Sequence, residues 1–436
     1  MNWGYDMRRF SRGPKIWSGA AALVVATIAL AGCSIPGSEP VDASVEAVDP
    51  AKGAEGFPVG EWEACALPGQ PDRRCGSVQV GSATGDDDTK VAIAVAVTPA
   101  RNADSASKGV LFVDPGGPLV SGIASQAGFA ATADAEVRDN FDIVGYDRRG
   151  FGRSTPITCD IADSPSFSEA DIDKEWASFE PTARAELKKC EQETDGRVLT
   201  AGINAGVRDL DAVREALEVD QINMLALSYG TLLGQAYLAS HPDRVRTMIL
   251  DGTVDPETTG PEQTLENMLD VSDAAASSGT DRDPKLADGF VDAYTKVSEM
   301  YGDGAPYAQD LAYNCTDFVW PATPFDEADG LTSEQQAEVL GSRAYCYGWP
   351  GADPIGALDF PEEAPKPLLI NGIDDLRTPI DGARAVAERT GGVLITMPGS
   401  FHGLVNSFTC PTDIATAYLL TAQLPTASEC PKAEPR

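Results

Sequence analysis

The run Ile222-Asn-Met-Leu-Ala-Leu-Ser228-Tyr-Gly230 carries an apolar strand pattern that stops at a serine, after which Gly230 opens a helical pattern. A strand–turn–helix of this kind holds a serine on a sharp elbow with its hydroxyl exposed to substrate, and small neighbours let the backbones approach. The Gly-x-Ser-x-Gly spacing is kept, except that Ala226 stands at the first glycine. A serine hydroxyl needs a general base to become a nucleophile, and the chain has only 2 histidines. His241 lies in Ser-His-Pro-Asp-Arg, where Pro242 ends a helical pattern, so it reads as a surface residue at a helix terminus. His402, in Gly-Ser-Phe-His-Gly, follows a strand-like run at 392–397, where a sheet-based hydrolase needs its base. Two carboxylates, Asp374 and Asp375, follow the strand-like run at 368–371. Asp375, which begins Asp-x-x-Thr-Pro, is preferred as the partner of His402, with its neighbour as the alternative.

The chemistry these types support is acyl transfer. His402 would take the Ser228 proton, and Asp375 would fix the imidazole tautomer and stabilise the imidazolium. Donors for the developing oxyanion are the backbone N–H of Tyr229 and one from the loop in Val110-Leu-Phe-Val-Asp-Pro-Gly-Gly-Pro118, with Gly117 the first candidate. The order serine, acid, histidine along the chain is that of an α/β-hydrolase.

The positioning elements agree with that fold class. Strand-like runs at 91–98, 110–114, 141–146, 222–227, 248–250, 368–371 and 393–397 alternate with helical stretches such as 207–217. Alternation predicts an α/β fold, a mostly parallel sheet with helices on both faces. Active residues then sit at the carboxyl ends of strands. From 256 to 364 the strand pattern gives way to helical, acidic and aromatic stretches, including 261–273 and 290–300. This is expected to be a mainly helical cap inserted between core segments at 61–255 and 365–436. Glu262, Glu266, Asp270 and Asp273 recur at helical spacing within it. They form either a solvated face or a site for a substrate ammonium, for which Glu262 and Glu266 are the candidates.

Several motifs in register carry a family resemblance. They are Asp-Pro-Gly-Gly-Pro118, Phe141-Asp-Ile-Val-Gly-Tyr-Asp-Arg-Arg-Gly-Phe-Gly-Arg-Ser154, the Ser-Tyr-Gly elbow, His-Pro-Asp-Arg-Val245 and Leu-Asp-Gly-Thr-Val-Asp-Pro256. Together they resemble secreted tripeptidyl aminopeptidases and prolyl aminopeptidase-like enzymes of the α/β-hydrolase superfamily, over roughly residues 60 to 430. The resemblance implies a serine peptidase releasing short peptides from free N-termini through an acyl-enzyme. The chain departs from the family after the oxyanion loop, where Leu119-Val120 replaces further glycines and could narrow the mouth of the site. A carboxylesterase or lipase on the same scaffold is the alternative, because fold does not fix substrate. A non-catalytic envelope binding protein is the third reading.

The N-terminus points to export. Arg8, Arg9, Arg12 and Lys15 precede an apolar run at 16–30, followed by Leu30-Ala-Gly-Cys33. That is the cleavage pattern of a bacterial lipoprotein signal (1–32), in which Cys33 is lipidated. The adjacent arginines hint at twin-arginine export, although the residues after them fit that signal poorly. Residues 33–60, rich in Pro, Gly, Ala and acids, read as a disordered tether with a reach of roughly 30 Å. The formal charge of −34 repels nucleic acid and anionic headgroups. Membrane attachment would therefore rest on the lipid.

Setting Cys33 aside, the 9 cysteines leave an even remainder, which in an exported protein implies disulfides. Neighbour pairing is the expectation because it closes short loops: Cys65–Cys75, Cys159–Cys190, Cys315–Cys346 and Cys410–Cys430. No closely spaced cysteine or histidine pair suggests a metal site. Gly150-Phe-Gly152 lacks the third glycine and following helix of a dinucleotide loop. No cofactor is expected, and the expected partner is a peptide or small ester substrate.

Overall fold

The computed structural model describes residues 49, 51–81, 90–102, 108–159, 161–162, 165–264, 307–324 and 332–436. The signal segment, Cys33 and most of the tether lie outside them, as do Glu266 and most of the helical stretches expected at 261–273 and 290–300. The first described strands are a two-stranded pair, β1 (Gly53–Ala54) and β2 (Phe57–Pro58), inside the stretch 33–60 expected to be a disordered tether. Ala54 and Phe57 are buried in one cluster with Ala94 and Ile123, so this end of the stretch is folded onto the core. Next come β3 (Glu63–Ala64), β4 (Arg74–Gly81), β5 (Lys90–Thr98) and β6 (Val110–Asp114). Helices α1 (Gly122–Thr132) and α2 (Ala135–Asn140) lead to β7 (Asp142–Tyr146). After α3 (Ile172–Glu193) and α4 (Ile203–Ala216), strand β8 (Ile222–Leu227) feeds α5 (Gly230–Ser240) and β9 (Val245–Asp251). The insertion before the last strands contains α6 (Tyr307–Asp317) and α7 (Ser333–Arg343). The chain then forms β10 (Leu368–Gly372), α8 (Ile380–Thr390), β11 (Val393–Met397) and α9 (Thr409–Thr421).

The main sheet runs β11-β10-β9-β8-β6-β7-β5-β4-β3. From β11 to β7 every pairing is parallel, and β5, β4 and β3 attach antiparallel at one edge. The apolar runs lack alternation because the central strands are covered on both faces. In β6, Val110 and Phe112 pack with Leu210 of α4 and Leu233 of α5. Leu111 and Val113 join Phe129 of α1 and Tyr418 of α9 on the other face. Burial of each such side chain stabilises by roughly 1.5–3 kcal/mol, enough to fix the register against a one-residue slip.

The differences from expectation have local causes. β4 pairs along its whole length with β5, yet its sequence, Arg-Cys-Gly-Ser-Val-Gln-Val-Gly, has no apolar run long enough to flag it. β9 starts three residues earlier than the apolar run at 248–250, because Thr247 and Arg246 are satisfied inside the sheet by the Asn223 side chain, at 2.7 and 2.8 Å. α3, inserted between β7 and β8, packs through Ile172 and Trp176 on Val339 and Leu340 of α7. The helical layer therefore draws on two insertions. α7 is started by a capping box between Thr332 and Gln335.

Four disulfides join Cys65–Cys75, Cys159–Cys190, Cys315–Cys346 and Cys410–Cys430, the neighbour pairing expected from the sequence. Among the described residues no helix is long and apolar enough to cross a membrane.

Candidate active site

β8 ends at Leu227, and the next residue, Ser228, adopts φ +55°, in the left-handed region. A side chain at positive φ costs of order 1–3 kcal/mol and persists only where its surroundings over-determine it. Here they do. The Ser228 N–H donates to the Asp251 carbonyl at 2.8 Å, and its own carbonyl accepts from the Thr231 N–H and hydroxyl at 2.8 and 2.6 Å. Gly116 of the β6 loop lies so close that a Cβ there would meet Leu227 O at 2.3 Å and Ser228 Cβ at 3.0 Å. The Ala226 methyl is buried and faces Gly234 of α5, where even an added Cβ would be 3.4 Å away, an ordinary contact distance.

Past the end of β10, two strands away from β8, Asp375 is buried and Asp374 is exposed. His402 Nδ1 lies 2.8 Å from Asp375 Oδ2, which also accepts the Thr378 hydroxyl at 2.9 Å. Asp375 Oδ1 accepts the N–H groups of Arg377 and Thr378 at 3.0 and 3.3 Å. A carboxylate can only accept, so Nδ1 carries the proton and Nε2 is left with its lone pair. The contact with His402 belongs to Asp375 rather than Asp374. His241 sits at the far end of α5, about 16 Å along the axis from the elbow. There it stacks on Tyr237 with ring centroids 5.0 Å apart.

Two parallel strand ends hold serine and histidine to a common support. The Asp251 carboxylate, at the end of β9, accepts the N–H of Leu404 at 2.8 Å and that of Val405 at 2.8 Å. Gly252, at φ +65°, lies beneath the imidazole, where a Cβ would be 3.0 Å from His402 Cε1. Burial raises the Asp251 pKa to about 6, against the opposing pull of the Leu404 and Val405 amides and of His402.

The β6 loop is gripped by Arg148. Its Nη1 donates to the carbonyls of Gly116 and Pro118 at 2.8 and 2.7 Å, and its Nη2 to Asp114 Oδ1 at 2.5 Å. Asp114 Oδ1 also accepts the Gly116 N–H at 2.9 Å. Gly117 is exposed on this loop and Tyr229 is buried beside it. The Tyr229 hydroxyl donates to Asp317 at the end of α6, whose Oδ1 accepts the Ile203 N–H of α4 at 2.7 Å. Burial pushes Asp317 up to about 7, opposed by these bonds, and pushes Tyr229 well above the usual phenol range.

Glu262 is exposed, and its carboxylate accepts the Thr259 N–H and hydroxyl, both at 3.0 Å, capping its own helical turn. Sequence reasoning missed Asp251, Arg148, Asp317 and Thr378. Asp251 and Arg148 stand inside the motifs Leu-Asp-Gly and Tyr-Asp-Arg-Arg-Gly, but only strand order shows what they touch. Among the described residues no cluster of His, Cys, Asp or Glu could hold a metal ion.

Serine protease Hip1 of Mycobacterium tuberculosis (strain ATCC 25618 / H37Rv) is 37% identical over 173 residues, 38% of this chain and 33% of that protein. The tripeptidyl aminopeptidase of Streptomyces lividans is 35% identical over 166 residues, 35% of this chain and 30% of that one. The aligned region thus spans about a third of the length of these relatives. A longer but weaker match, 27% over 415 residues, covers 73% of this chain and 79% of carboxylesterase B of Mycobacterium tuberculosis (strain CDC 1551 / Oshkosh). A family profile described as alpha/beta hydrolase fold matches residues 110–289, from β6 through the elbow, and one described as TAP-like protein matches residues 320–430, which hold Asp375 and His402. With its parallel sheet, elbow and acid–histidine loops in the matching order, the chain belongs to the α/β-hydrolase family, in the group with a TAP-like C-terminal region.

Proposed function

We propose that this protein is a serine hydrolase, and that it acts as an exopeptidase releasing short peptides, tripeptides first, from free N-termini. The observation that carries this reading is Ser228 at positive φ on a strand end tied through Asp251 to the loop that carries His402. In the proposed cycle the Ser228 Oγ attacks the scissile carbonyl carbon while His402 Nε2 takes the hydroxyl proton. The carbonyl oxygen becomes an oxyanion that the N–H groups of Tyr229 and Gly117 stabilise. Collapse breaks the C–N bond, and the imidazolium returns its proton to the departing amine. Water then attacks the acyl-enzyme by the same route, with His402 as base, and releases the peptide acid.

The substrate class is supported by the Hip1 and tripeptidyl aminopeptidase relatives, and by the helical insertion containing α6 and α7, which we read as a cap. A cap carboxylate would bind the α-ammonium by a charge-assisted hydrogen bond. Glu262 and Glu266 are its candidates, although Glu262 would have to leave its capping bonds. The match to carboxylesterase B supports a second reading, ester hydrolysis at the same serine. Localisation outside the cytoplasm on a lipidated Cys33 is part of the proposal. Cys33→Ser would then release a fully active protein from the membrane fraction.

The test compares a free tripeptide amide, its N-acetyl form and a short-chain ester on purified protein. The expected result is a kcat/KM about 100-fold or more lower for the acetylated peptide, because acetylation leaves a carboxylate without its partner. Equal rates for both peptides would remove the aminopeptidase reading, and turnover of the ester alone would establish the second one.

A further inference from the structure

Arg148 is buried, and its charge has one carboxylate partner among its hydrogen bonds, Asp114. A buried ion pair is weak evidence for stability, since desolvating both charges offsets most of the attraction. What distinguishes this pair is where the remaining guanidinium protons go. Nη1 holds two carbonyl oxygens of one short loop, those of Gly116 and Pro118.

The peptide unit joining Gly116 to Gly117 is trans, so its C=O and N–H point in opposite directions. With the Gly116 oxygen fixed on Arg148, the Gly117 N–H is aimed away from the guanidinium. A cation on the carbonyl oxygen also withdraws electron density through the amide and strengthens the N–H as a donor. The same loop leaves no room for a side chain beside the serine, since a Cβ added at Gly116 would lie 3.0 Å from Ser228 Cβ and 3.1 Å from the Tyr229 nitrogen. On the other side, the Arg148 guanidinium carbon lies 5.2 Å from the centre of the Tyr229 ring, and Tyr229 supplies the second candidate donor. One side chain therefore holds the carbonyls on either side of Gly117 and lies against the ring of Tyr229, the two residues whose N–H groups would meet the oxyanion.

We propose that Arg148 is a positioning residue of the oxyanion hole, orienting and polarising the Gly117 N–H through the Gly116 carbonyl while packing on Tyr229. The proposal rests on the serine-hydrolase reading, and its test keeps the two apart. Wild-type protein is first labelled with a fluorophosphonate. Absence of labelling defeats the hydrolase reading itself.

With labelling established, Arg148→Lys and the double variant Asp114→Asn/Arg148→Gln are compared with wild type. Lysine keeps the charge but not the planar fork that spans two carbonyls and a carboxylate. The double variant leaves no unpaired buried charge, so it tests the same point if the lysine variant does not fold. Removing a direct oxyanion donor costs about 100- to 1000-fold in kcat, so an indirect role should cost about 10- to 100-fold. KM should stay within about twofold.

The discriminating readout is the affinity for a trifluoromethyl ketone analogue of the best substrate, whose hemiketal carries the oxyanion. That affinity should fall in proportion to kcat, with the lysine variant between wild type and the double variant. Unchanged kcat, or a kcat loss with undiminished ketone affinity, overturns the proposal.

Discussion

The Ser228 N–H donates to the main-chain carbonyl of Asp251 at 2.8 Å, across the β8–β9 boundary. The side chain of Asp251 reaches the other way, to the amides of Leu404 and Val405 just past His402. One residue at the end of β9 thus ties Ser228, the proposed nucleophile, to the loop that carries His402, its proposed base. Asp251→Ala removes the acceptor of two N–H groups, and each buried donor left unpaired costs about 1–3 kcal/mol. The expected outcome is a lower melting temperature together with at least a tenfold loss of kcat at a temperature where the variant is still folded. Asp251→Asn keeps one acceptor oxygen and should fall between. A variant with wild-type kcat would show that the β9 end does not position the base.

The acid assignment is testable by contrast. Asp375 contacts His402, whereas Asp374 next to it is exposed. Loss of the triad acid costs about 10⁴-fold in kcat in related chemistry. Asp375→Ala should reach that order, while Asp374→Ala stays within about twofold. The same pattern is expected of the histidines, with His402→Ala nearly inactive and His241→Ala close to wild type. Fluorophosphonate labelling of Ser228 reads all four variants, and an essential Asp374 or His241 would refute the assignment.

Buried carboxylates give the fold a pH dependence of definite sign. Burial raises Asp317 to about 7 and Asp251 to about 6 in the folded chain, while unfolded aspartate titrates near 3.9. The folded state therefore binds more protons over these windows, so these groups add stability as pH falls and lose it as pH rises. The gain is at most about 1.4 kcal/mol per pH unit for each group. Asp317 contributes from about pH 7 downward and Asp251 joins below about 6. Melting temperature should therefore rise on acidification from pH 8 to about 5. Asp317→Asn should flatten the part of that rise between pH 6 and 7. A wild-type curve that fell steadily over that range would contradict the burial of both carboxylates.

The parts of the site legible in the sequence were those encoded locally. Ser228 stands at the junction of an apolar run and a glycine-opened helix, and two histidines made the choice of base short. The fold class followed from alternating strand and helix periods. What stayed hidden depends on pairing across the sheet. Asp251 looks like the last residue of a strand until β9 is known to lie between β8 and β10. Arg148 looks like one of several arginines in a turn until the β6 loop is folded onto it. β4 was missed because an antiparallel edge strand with polar residues has no continuous apolar run, and its order comes from pairing with β5.

The disulfide nearest the base gives the last test. Cys410 lies in the first turn of α9, a few residues after His402, and Cys430 is held beside β11 by its N–H to the Thr396 carbonyl at 2.7 Å. The bond therefore ties the segment leaving the histidine loop to the sheet edge next to β10, the strand that delivers Asp375. With a sequence separation of 20, its removal should cost about 3 kcal/mol, mostly through a less constrained unfolded chain. The double variant Cys410→Ser/Cys430→Ser should melt lower and also lose several-fold in kcat, because the loop it braces carries the base. The variant Cys65→Ser/Cys75→Ser supplies the contrast. That bond joins the residue following β3 to β4 at the opposite edge of the sheet, so its loss should lower stability with kcat unchanged. Melting curves and kcat at 25 °C, measured under the same buffer for both variants, separate the two effects. Equal kcat in the two variants would mean that the brace beside His402 serves stability alone.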